Sequence, residues 1–301
     1  MIACEYCGQR NEDDALECRK CGAALSINKP TILSNIISIV TGTNSTPSDW
    51  TLGIDTSHWN GDVDLTVAKG KGAKYVIAKA TDFYRDQAIG FVDTHVVNTM
   101  NKAKELDLPF AGWHWLQPKV DPTIQAEYYL NEFYFKYDIK APPMLDFEDL
   151  KVNSWNDMLW RGQTWLEKVA RATGKKPLVY TAKWYMDNFN QANASFLRQY
   201  DLWGAHYIQR SYPTMPSIWN DWKFWQYSDK GDYPYYVYKG AYLGEQWGSK
   251  SAYMCMDWFK GDEMAMRKYF GAGDTVPEPE PLTLPQQVAD HEIRLRALEA
   301  G

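Results

Sequence analysis

The chain has 301 residues, enough for one large domain with small attachments. Hydrophobic residues make up 45% of it, an ordinary share for a globular core, and its 14 tryptophans and 20 tyrosines make it rich in aromatic faces. The net charge of −6 argues against nucleic acid as a partner. The opening residues and the short apolar run at 32–40 predict neither a secretory signal nor a transmembrane segment, so we expect a chain made in the cytoplasm.

The first 25 residues form a separate unit in the sequence. Two C-x-x-C-G motifs contain Cys4, Cys7, Cys18 and Cys21, with ten residues between Cys7 and Cys18. Four thiolates with this spacing can close a tetrahedral zinc site, and the arrangement resembles a short zinc ribbon. Two disulfides are the alternative, which a cytoplasmic origin disfavours. We expect a structural Zn²⁺ here and a protein-docking role, since the acidic residues of the unit are no fewer than the basic ones.

A linker rich in Ser, Thr and Asn follows over residues 26–48, and a large domain is expected over 49–271. Within it, short apolar strands alternate with helical stretches, which predicts an α/β fold with a parallel sheet or barrel. We place strands at 51–55, 74–80, 109–115, 142–148, 176–181, 201–207, 223–227 and 253–257. Helices are expected near 62–71, 91–106, 122–137 and 153–172, with less helix after residue 182.

Polar side chains stand at the carboxyl ends of nearly all these strands, where the active site of such a barrel lies. Asp146 and Glu148 share one face of the fourth strand, because side chains alternate along a strand. Two such carboxylates near apolar walls tend to have one raised pKa, while the other stays ionised, as glycoside hydrolysis requires. An isolated D-x-E can also be a solvated strand end. The other strand ends favour the active site, with Asp55, Lys79, Thr81, His114, Tyr180, His206, Tyr207, Gln226 and Asp257.

Eight blocks between residues 52 and 270 resemble the glycoside hydrolase family 25 lysozymes, in the order that the family has. They are G-I-D-T-S-H-W-N-G from residue 53, Y-V-I-A-K-A-T from 75, G-W-H-W from 112, L-D-F-E from 145, P-L-V-Y-T from 177, L-W-G-A-H-Y from 202, W-Q-Y from 225 and M-D-W-F-K-G-D from 256. The resemblance implies a TIM-like (β/α)5(β)3 barrel. It also implies N-acetylmuramidase activity, the hydrolysis of the β-1,4 bond between N-acetylmuramic acid and N-acetylglucosamine in peptidoglycan glycan strands.

By position, the resemblance makes Glu148 the general acid and Asp146 its partner, which assists the N-acetyl group of the substrate. Asp55 and Asp257 are the further acids of the pocket, and no cofactor is expected for catalysis. Attack by the N-acetyl group and attack by a carboxylate both stay open. The structural alternatives are a loop cap for Asp55, an N-cap for Asp257 and a salt bridge from Lys79 to the acids. Candidate substrate-binding residues, with packing as the alternative for the aromatic ones, are Lys79, Trp115, Tyr180, Tyr207, Trp225 and Gln226.

Two regions depart from the family pattern. Asp82 is followed by Phe83 and Tyr84, where the family often has an acid and a glycine. The segment 231–252 resembles an insertion rich in tyrosine, which we interpret as an aromatic wall for a glycan strand or as a cover for the open side of the barrel.

Past the barrel, a Pro-rich linker over 272–283 precedes apolar residues at heptad spacing in 284–301. This spacing predicts a short coiled-coil-like helix for oligomerisation. The architecture favours a phage lysin or virion-associated lysozyme that acts at the bacterial cell wall. The alternative is a non-catalytic wall-binding or virion structural protein on the same barrel.

Overall fold

A computed structural model describes residues 49–84, 87–151, 154–207, 212–231 and 242–273, together with the backbone of 2–3 and 10–11. Ile2–Ala3 and Arg10–Asn11 pair as antiparallel strands, and they flank the first C-x-x-C-G motif in the sequence. The predictions of a zinc site, of the 26–48 linker, of most of the Pro-rich linker and of a helix at 284–301 lie outside the described residues.

Nine strands of the described domain form one sheet, which closes on itself. In chain order they are β1 (Thr51–Thr56), β2 (Val76–Phe83), β3 (Gly90–Val92), β4 (Phe110–Trp115), β5 (Met144–Asp146), β6 (Leu178–Ala182), β7 (Asp201–Ala205), β8 (Phe224–Ser228) and β9 (Cys255–Phe259). Because β1 pairs with both β2 and β9, eight of the strands make a barrel, and β3 pairs only with β2.

The barrel is parallel except at one strand. Neighbouring barrel strands from β1 to β8 are parallel, whereas β9 runs antiparallel to both β8 and β1. Strand β3, which is not part of the barrel, runs antiparallel to β2. Eight strands of this topology match the predicted (β/α)5(β)3 barrel, so the fold prediction is confirmed. All eight predicted strands exist, and each barrel strand overlaps its predicted range, whereas β3 was not predicted.

Helices surround the early strands, and their ends follow local capping chemistry. They are α1 (Leu65–Gly70), α2 (Val96–Glu105), α3 (Pro122–Tyr129), α4 (Trp155–Thr173), α5 (Lys183–Met186) and α6 (Glu263–Tyr269). The caps Asp64, Asp121, Ser154 and Asp262 each accept a hydrogen bond from a backbone N–H of the first turn. A π-helical turn, Leu130–Tyr134, continues α3, and 3-10 turns lie at His58–Asn60, Asn193–Gln199 and Gly244–Trp247. No described helix is both long and apolar enough to cross a bilayer.

The barrel interior is closed at the amino ends of its parallel strands by aromatic packing. The Tyr75 ring lies 5.6 Å from that of Phe224 and 5.2 Å from that of Phe270. Tyr75 also covers Gly53 so closely that a Cβ atom there would overlap its ring. Every residue of β1 and β2 is buried, because side chains fill the barrel and helices cover its outside. The polar residues of the opposite rim are therefore supported by a packed floor.

The contact between Gly53 and Tyr75 predicts the effect of one added methyl group. Gly53→Ala should lower the free energy of unfolding by about 1–3 kcal/mol, because both residues are buried and the ring cannot retreat without repacking the floor. Urea unfolding measures this change. Gly204→Ala is the matched control, since a Cβ atom there comes no closer than 3.6 Å to any other described residue outside its chain neighbours. Equal unfolding midpoints for the two variants would contradict the packing described here.

Candidate active site

The four acids predicted from the sequence come together at the rim where the parallel strands end. Asp55 lies near the end of β1, Asp146 ends β5, and Glu148 follows two residues later. Asp257 reaches the same place from antiparallel β9, where it pairs with Gln226 on β8. Their charges act on one another: Glu148 and Asp55 each raise the pKa of Asp146, and Asp55 raises that of Asp257.

The alternation that places Asp146 and Glu148 on one face is observed. Leu145 and Phe147 are buried, and the Phe147 ring stacks on that of Phe189 at 5.6 Å. Although β5 ends at Asp146, the Phe147 N–H still donates to the Tyr180 carbonyl at 2.9 Å, so the strand pairing continues past the strand end. The apolar residues of the stretch anchor it from outside the barrel, and the two acids project from the other side.

Indole N–H groups hold two of the acids. Trp113 Nε1 donates to Asp55 Oδ1 at 2.8 Å, and Gln226 Nε2 donates to Asp55 Oδ2 at 3.2 Å. Trp203 Nε1 donates to Asp257 Oδ1 at 2.7 Å. Burial raises the pKa of Asp55 to about 8, although the Trp113 hydrogen bond acts in the opposite direction. Burial, followed by the charge of Asp55, holds the pKa of Asp257 well above its ordinary value.

Asp146 and Glu148 differ in their access to solvent. Asp146 is 5% exposed, and its Oδ1 atom has no hydrogen-bond partner among the described residues. Burial, followed by the charge of Glu148, raises the pKa of Asp146 well above its ordinary value. Glu148 is the most exposed of the four acids, yet burial and the neighbouring charge of Asp149 raise its pKa to about 7. A carboxyl group with such a pKa can keep its proton near neutral pH.

Lys79 lies among the acids but forms its ion pair elsewhere. Its Nζ atom is 2.6 Å from Asp82 Oδ2 and lies 5.5 Å and 5.4 Å from the ring centroids of Trp113 and Trp115. Asp82 also accepts a hydrogen bond from Gln117 Nε2 at 2.8 Å. The sequence interpretation missed Asp82 and Gln117 as site residues, although Asp82 stood in the block that departs from the family pattern.

The two predicted tyrosines meet at Gln226. Its Oε1 atom accepts hydrogen bonds from Tyr180 Oη at 2.9 Å and from Tyr207 Oη at 2.5 Å, while its Nε2 donates to Asp55. Trp115 is partly exposed, stands beside Asp146 in the strand register and donates to Asp149 Oδ2 at 3.3 Å. The structure therefore brings Lys79, Trp115, Tyr180, Tyr207 and Gln226 to the acid cluster.

The structure favours packing, the alternative to sugar binding, for Trp225. This residue is 2% exposed and alternates with Gln226, so it points away from the barrel interior. Its ring packs 6.3 Å from that of Trp50 and 6.2 Å from that of Trp222, and its N–H donates to the His206 carbonyl. The strand prediction was right, and alternation along the strand places this residue on its outer face.

The described part of segment 231–252 is only partly an exposed aromatic wall. Trp247 is buried and its N–H donates to the Gly231 carbonyl at 2.6 Å, so it packs the segment against the domain. Tyr242 is exposed and lies edge-on to Tyr253, with ring centroids 4.7 Å apart. The tyrosines between residues 232 and 241 lie outside the described residues.

Two exposed aromatic side chains stand at the same rim as the acids. Trp59 lies in the 3-10 turn after β1, is 77% exposed and packs on the ring of His58, whose Nδ1 atom is 2.7 Å from Asp93 Oδ2. Tyr84 follows β2 and packs on Phe91 with ring centroids 4.8 Å apart. Neither was among the predicted site residues, although Trp59 belongs to the first family-like block.

The raised pKa of Glu148 predicts a pH-dependent cost to stability. The unfolded chain loses this proton near pH 4.5, whereas the folded chain keeps it until about pH 7. Between these values the wild type should lose about 3 kcal/mol of stability that Glu148→Gln keeps, since each pKa unit is worth about 1.4 kcal/mol. Urea unfolding at pH 4, 5.5 and 8 measures the difference, and Glu245→Gln, at an exposed glutamate, is the control. Parallel stability curves for wild type and Glu148→Gln would contradict a raised pKa.

Comparison with known proteins gives the family. The chain is similar to the uncharacterized protein YegX of Escherichia coli K12, with 32% identity over 192 residues, 62% of this chain and 66% of that protein. It is also similar to lysozyme M1 of Streptomyces globisporus, with 26% identity over 189 residues, 60% of this chain and 62% of that protein. The alignments thus leave about a third of each relative unmatched. The structure of the bacterial lysozyme from Streptomyces coelicolor has the same fold, with a TM-score of 0.59 and 20% identity over 75% of this chain and 99% of that one.

The family model of the glycosyl hydrolases family 25 matches residues 54–235, which is more than half of the chain. The matched range includes the barrel from β1 to β8 and three of the four acids. With the closed eight-stranded barrel and its rim of carboxylates, this match shows that the chain belongs to glycosyl hydrolase family 25.

Proposed function

We propose that the chain is a muramidase, a lysozyme-type glycoside hydrolase that cleaves the β-1,4 bond between N-acetylmuramic acid and N-acetylglucosamine in peptidoglycan. The observation that carries this proposal is the cluster of Asp55, Asp146, Glu148 and Asp257 at the carboxyl ends of the barrel strands. Membership of family 25 and the similarity to lysozyme M1 support the substrate class.

Glu148 is the proposed general acid. A general acid needs a proton at the working pH and access to the glycosidic oxygen. Glu148 is the most exposed of the four acids, and its pKa of about 7 keeps it largely protonated in mildly acidic solution and about half protonated at pH 7. It can therefore give its proton to the leaving oxygen and later help to deprotonate a water molecule.

Asp146 is the proposed partner of Glu148. As an anion on the same strand face, it stabilises the positive charge that develops at the anomeric carbon, or orients the N-acetyl group that attacks this carbon. Asp55 and Asp257 complete the acidic pocket, where Trp113 and Trp203 fix one oxygen of each. The nucleophile is either the N-acetyl group of the substrate or a carboxylate. In both mechanisms Glu148 donates the proton to the leaving oxygen.

Aromatic and amide groups around the acids are the proposed sugar contacts. Trp115, Tyr180, Tyr207 and Gln226 surround the cluster, and aromatic faces with polar edges suit sugar rings. Trp59 is added to this set, because its exposed ring stands on the same rim.

Replacement of the proposed acid tests the function. Glu148→Gln should lower the rate at which purified cell walls release soluble fragments by about 10²–10⁴-fold, because general acid catalysis contributes that much. Glu127→Gln is the matched control: it lies on α3, pairs with Lys168 at 2.8 Å and should keep the wild-type rate.

Equal rates of hydrolysis by wild type and Glu148→Gln would show that Glu148 is not the general acid. Binding of cell walls without hydrolysis by the wild type would instead favour the alternative, a non-catalytic wall-binding or virion structural protein.

We also propose that Cys4, Cys7, Cys18 and Cys21 bind one structural Zn²⁺. The support is their spacing in two C-x-x-C-G motifs, together with the pairing of Ile2–Ala3 and Arg10–Asn11 on either side of the first motif. Docking through this unit, oligomerisation through residues 284–301 and the phage context stay predictions.

Metal analysis of the full chain tests the zinc proposal. We expect about one zinc per chain, lost in the Cys4→Ser/Cys7→Ser double variant and kept in Cys255→Ser, at the remaining cysteine on β9. Zinc-free wild type, or equal zinc in both variants, would contradict it.

A further inference from the structure

The proposed role of Asp146 conflicts with its surroundings. It must be an anion, yet it is 5% exposed and its Oδ1 atom has no hydrogen-bond partner among the described residues. A carboxylate buried in this way usually takes up a proton, since an unpaired buried charge is costly. The Oδ2 atom of Asp257 is likewise buried without a hydrogen-bond partner among the described residues. Asp146 therefore needs a nearby positive charge if it is to remain an anion.

Lys79 is the cation that can stabilise the anionic form of Asp146. Its Nζ atom lies 5.5 Å from the ring of Trp113, which binds Asp55, and 5.4 Å from the ring of Trp115, the register neighbour of Asp146. From this position its charge lowers the pKa of Asp146 and of Asp55. The pKa of Glu148, in contrast, is governed by burial and by Asp149, and that of Asp257 by burial and by Asp55.

Asp82 and Gln117 fix the Lys79 ammonium group. Asp82 Oδ2 is 2.6 Å from Lys79 Nζ, while Asp82 Oδ1 accepts from the Phe83 N–H at 2.6 Å and from Gln117 Nε2 at 2.8 Å. Gln117 is in turn held by Gln125 of α3, which accepts from its N–H and donates to its carbonyl, each at 2.8 Å. The carboxylate of Asp82 is thus oriented by three donors before any substrate binds.

We propose that Asp82 and Gln117 are positioning residues that hold the Lys79 ammonium as the countercharge of Asp146, so that Asp146 is anionic while Glu148 keeps its proton. This inference rests on the proposed function, because it assigns the two ionisation states that the reaction needs. It also explains why Lys79 stays inside the site although its ion-pair partner is not one of the four acids.

Titratable groups face Asp146 from several elements. They are Glu148 on its own segment, Lys79 and Asp82 on β2, Asp55 on β1, Tyr180 on β6 and Tyr185 on α5. Among these groups Lys79 is the cation. Its effect on Asp146 is larger than the opposing effect of Asp82, so the pair as a whole favours the anion.

The pH dependence of kcat/KM for wall hydrolysis tests this countercharge. Its acidic limb reports the ionisation of the group that must be an anion. Lys79→Met should move this limb to higher pH by about one unit or more. Lys79→Arg should leave the limb close to its wild-type position, because the guanidinium keeps the positive charge. Lys183→Met, at an exposed lysine paired with Asp187, is the control and should leave the limb in place. If Lys79→Met lowers stability and leaves the limb unchanged, Lys79 is merely structural and the inference is wrong.

Asp82→Asn separates positioning from charge alone. If Lys79 stays where it is, removing a negative charge should move the acidic limb to lower pH. If Asp82 positions Lys79, the released ammonium no longer supports Asp146, and the limb should move to higher pH although a negative charge has been lost. A shift to lower pH would therefore overturn the positioning role.

A measurement without substrate distinguishes this inference from the proposed function. The carboxyl ¹³C signal of Asp146, assigned by its loss in Asp146→Asn, is titrated in wild type and in Lys79→Met. The signal should titrate at higher pH in Lys79→Met, whether or not the protein hydrolyses cell walls. Identical titration in both proteins would refute the countercharge, and failure of wild-type hydrolysis alone would refute only the proposed function.

Discussion

Four carboxyl groups confined in one poorly solvated pocket are the constraint on which the rest of this site depends. Burial raises the pKa of each, and their mutual repulsion adds to the effect. The barrel supports this unfavourable cluster with donors that come from its own wall, since Trp113 and Trp203 bind Asp55 and Asp257. The packed aromatic floor around Tyr75 gives these donors a rigid base.

The four acids lie in different environments, so one of them can be protonated at a pH at which another is ionised. Glu148 is the most exposed of the four, and burial and the charge of Asp149 raise its pKa to about 7, so a large fraction keeps its proton near neutral pH. Asp146 is deeper but lies within reach of the Lys79 charge. In the proposed reaction, one strand ending in two acids provides a proton donor and an anion because β2 and β4 place charged and aromatic groups around it.

Local sequence patterns predicted the strands and the rim of polar residues, because alternation and strand ends depend on neighbouring residues alone. They did not predict the Lys79–Asp82–Gln117–Gln125 chain of contacts, which joins β2 to α3 across more than forty residues. Trp225 was a candidate for sugar binding or for packing, and the strand turns its ring outward, where it packs against Trp50 and Trp222. Strand β3 was hidden in a stretch predicted to be helical, because its pairing with β2 is a tertiary contact.

The chemical identity of the cleaved bond tests the proposed activity most directly. Purified cell walls are digested with the wild-type chain, the new reducing ends are reduced with borohydride, and the resulting amino-sugar alcohols are identified by mass spectrometry. A muramidase should produce reduced muramic acid in an amount that grows with digestion time. Reduced glucosamine in its place would mean that the other glycosidic bond is cleaved, and would contradict the proposed reaction.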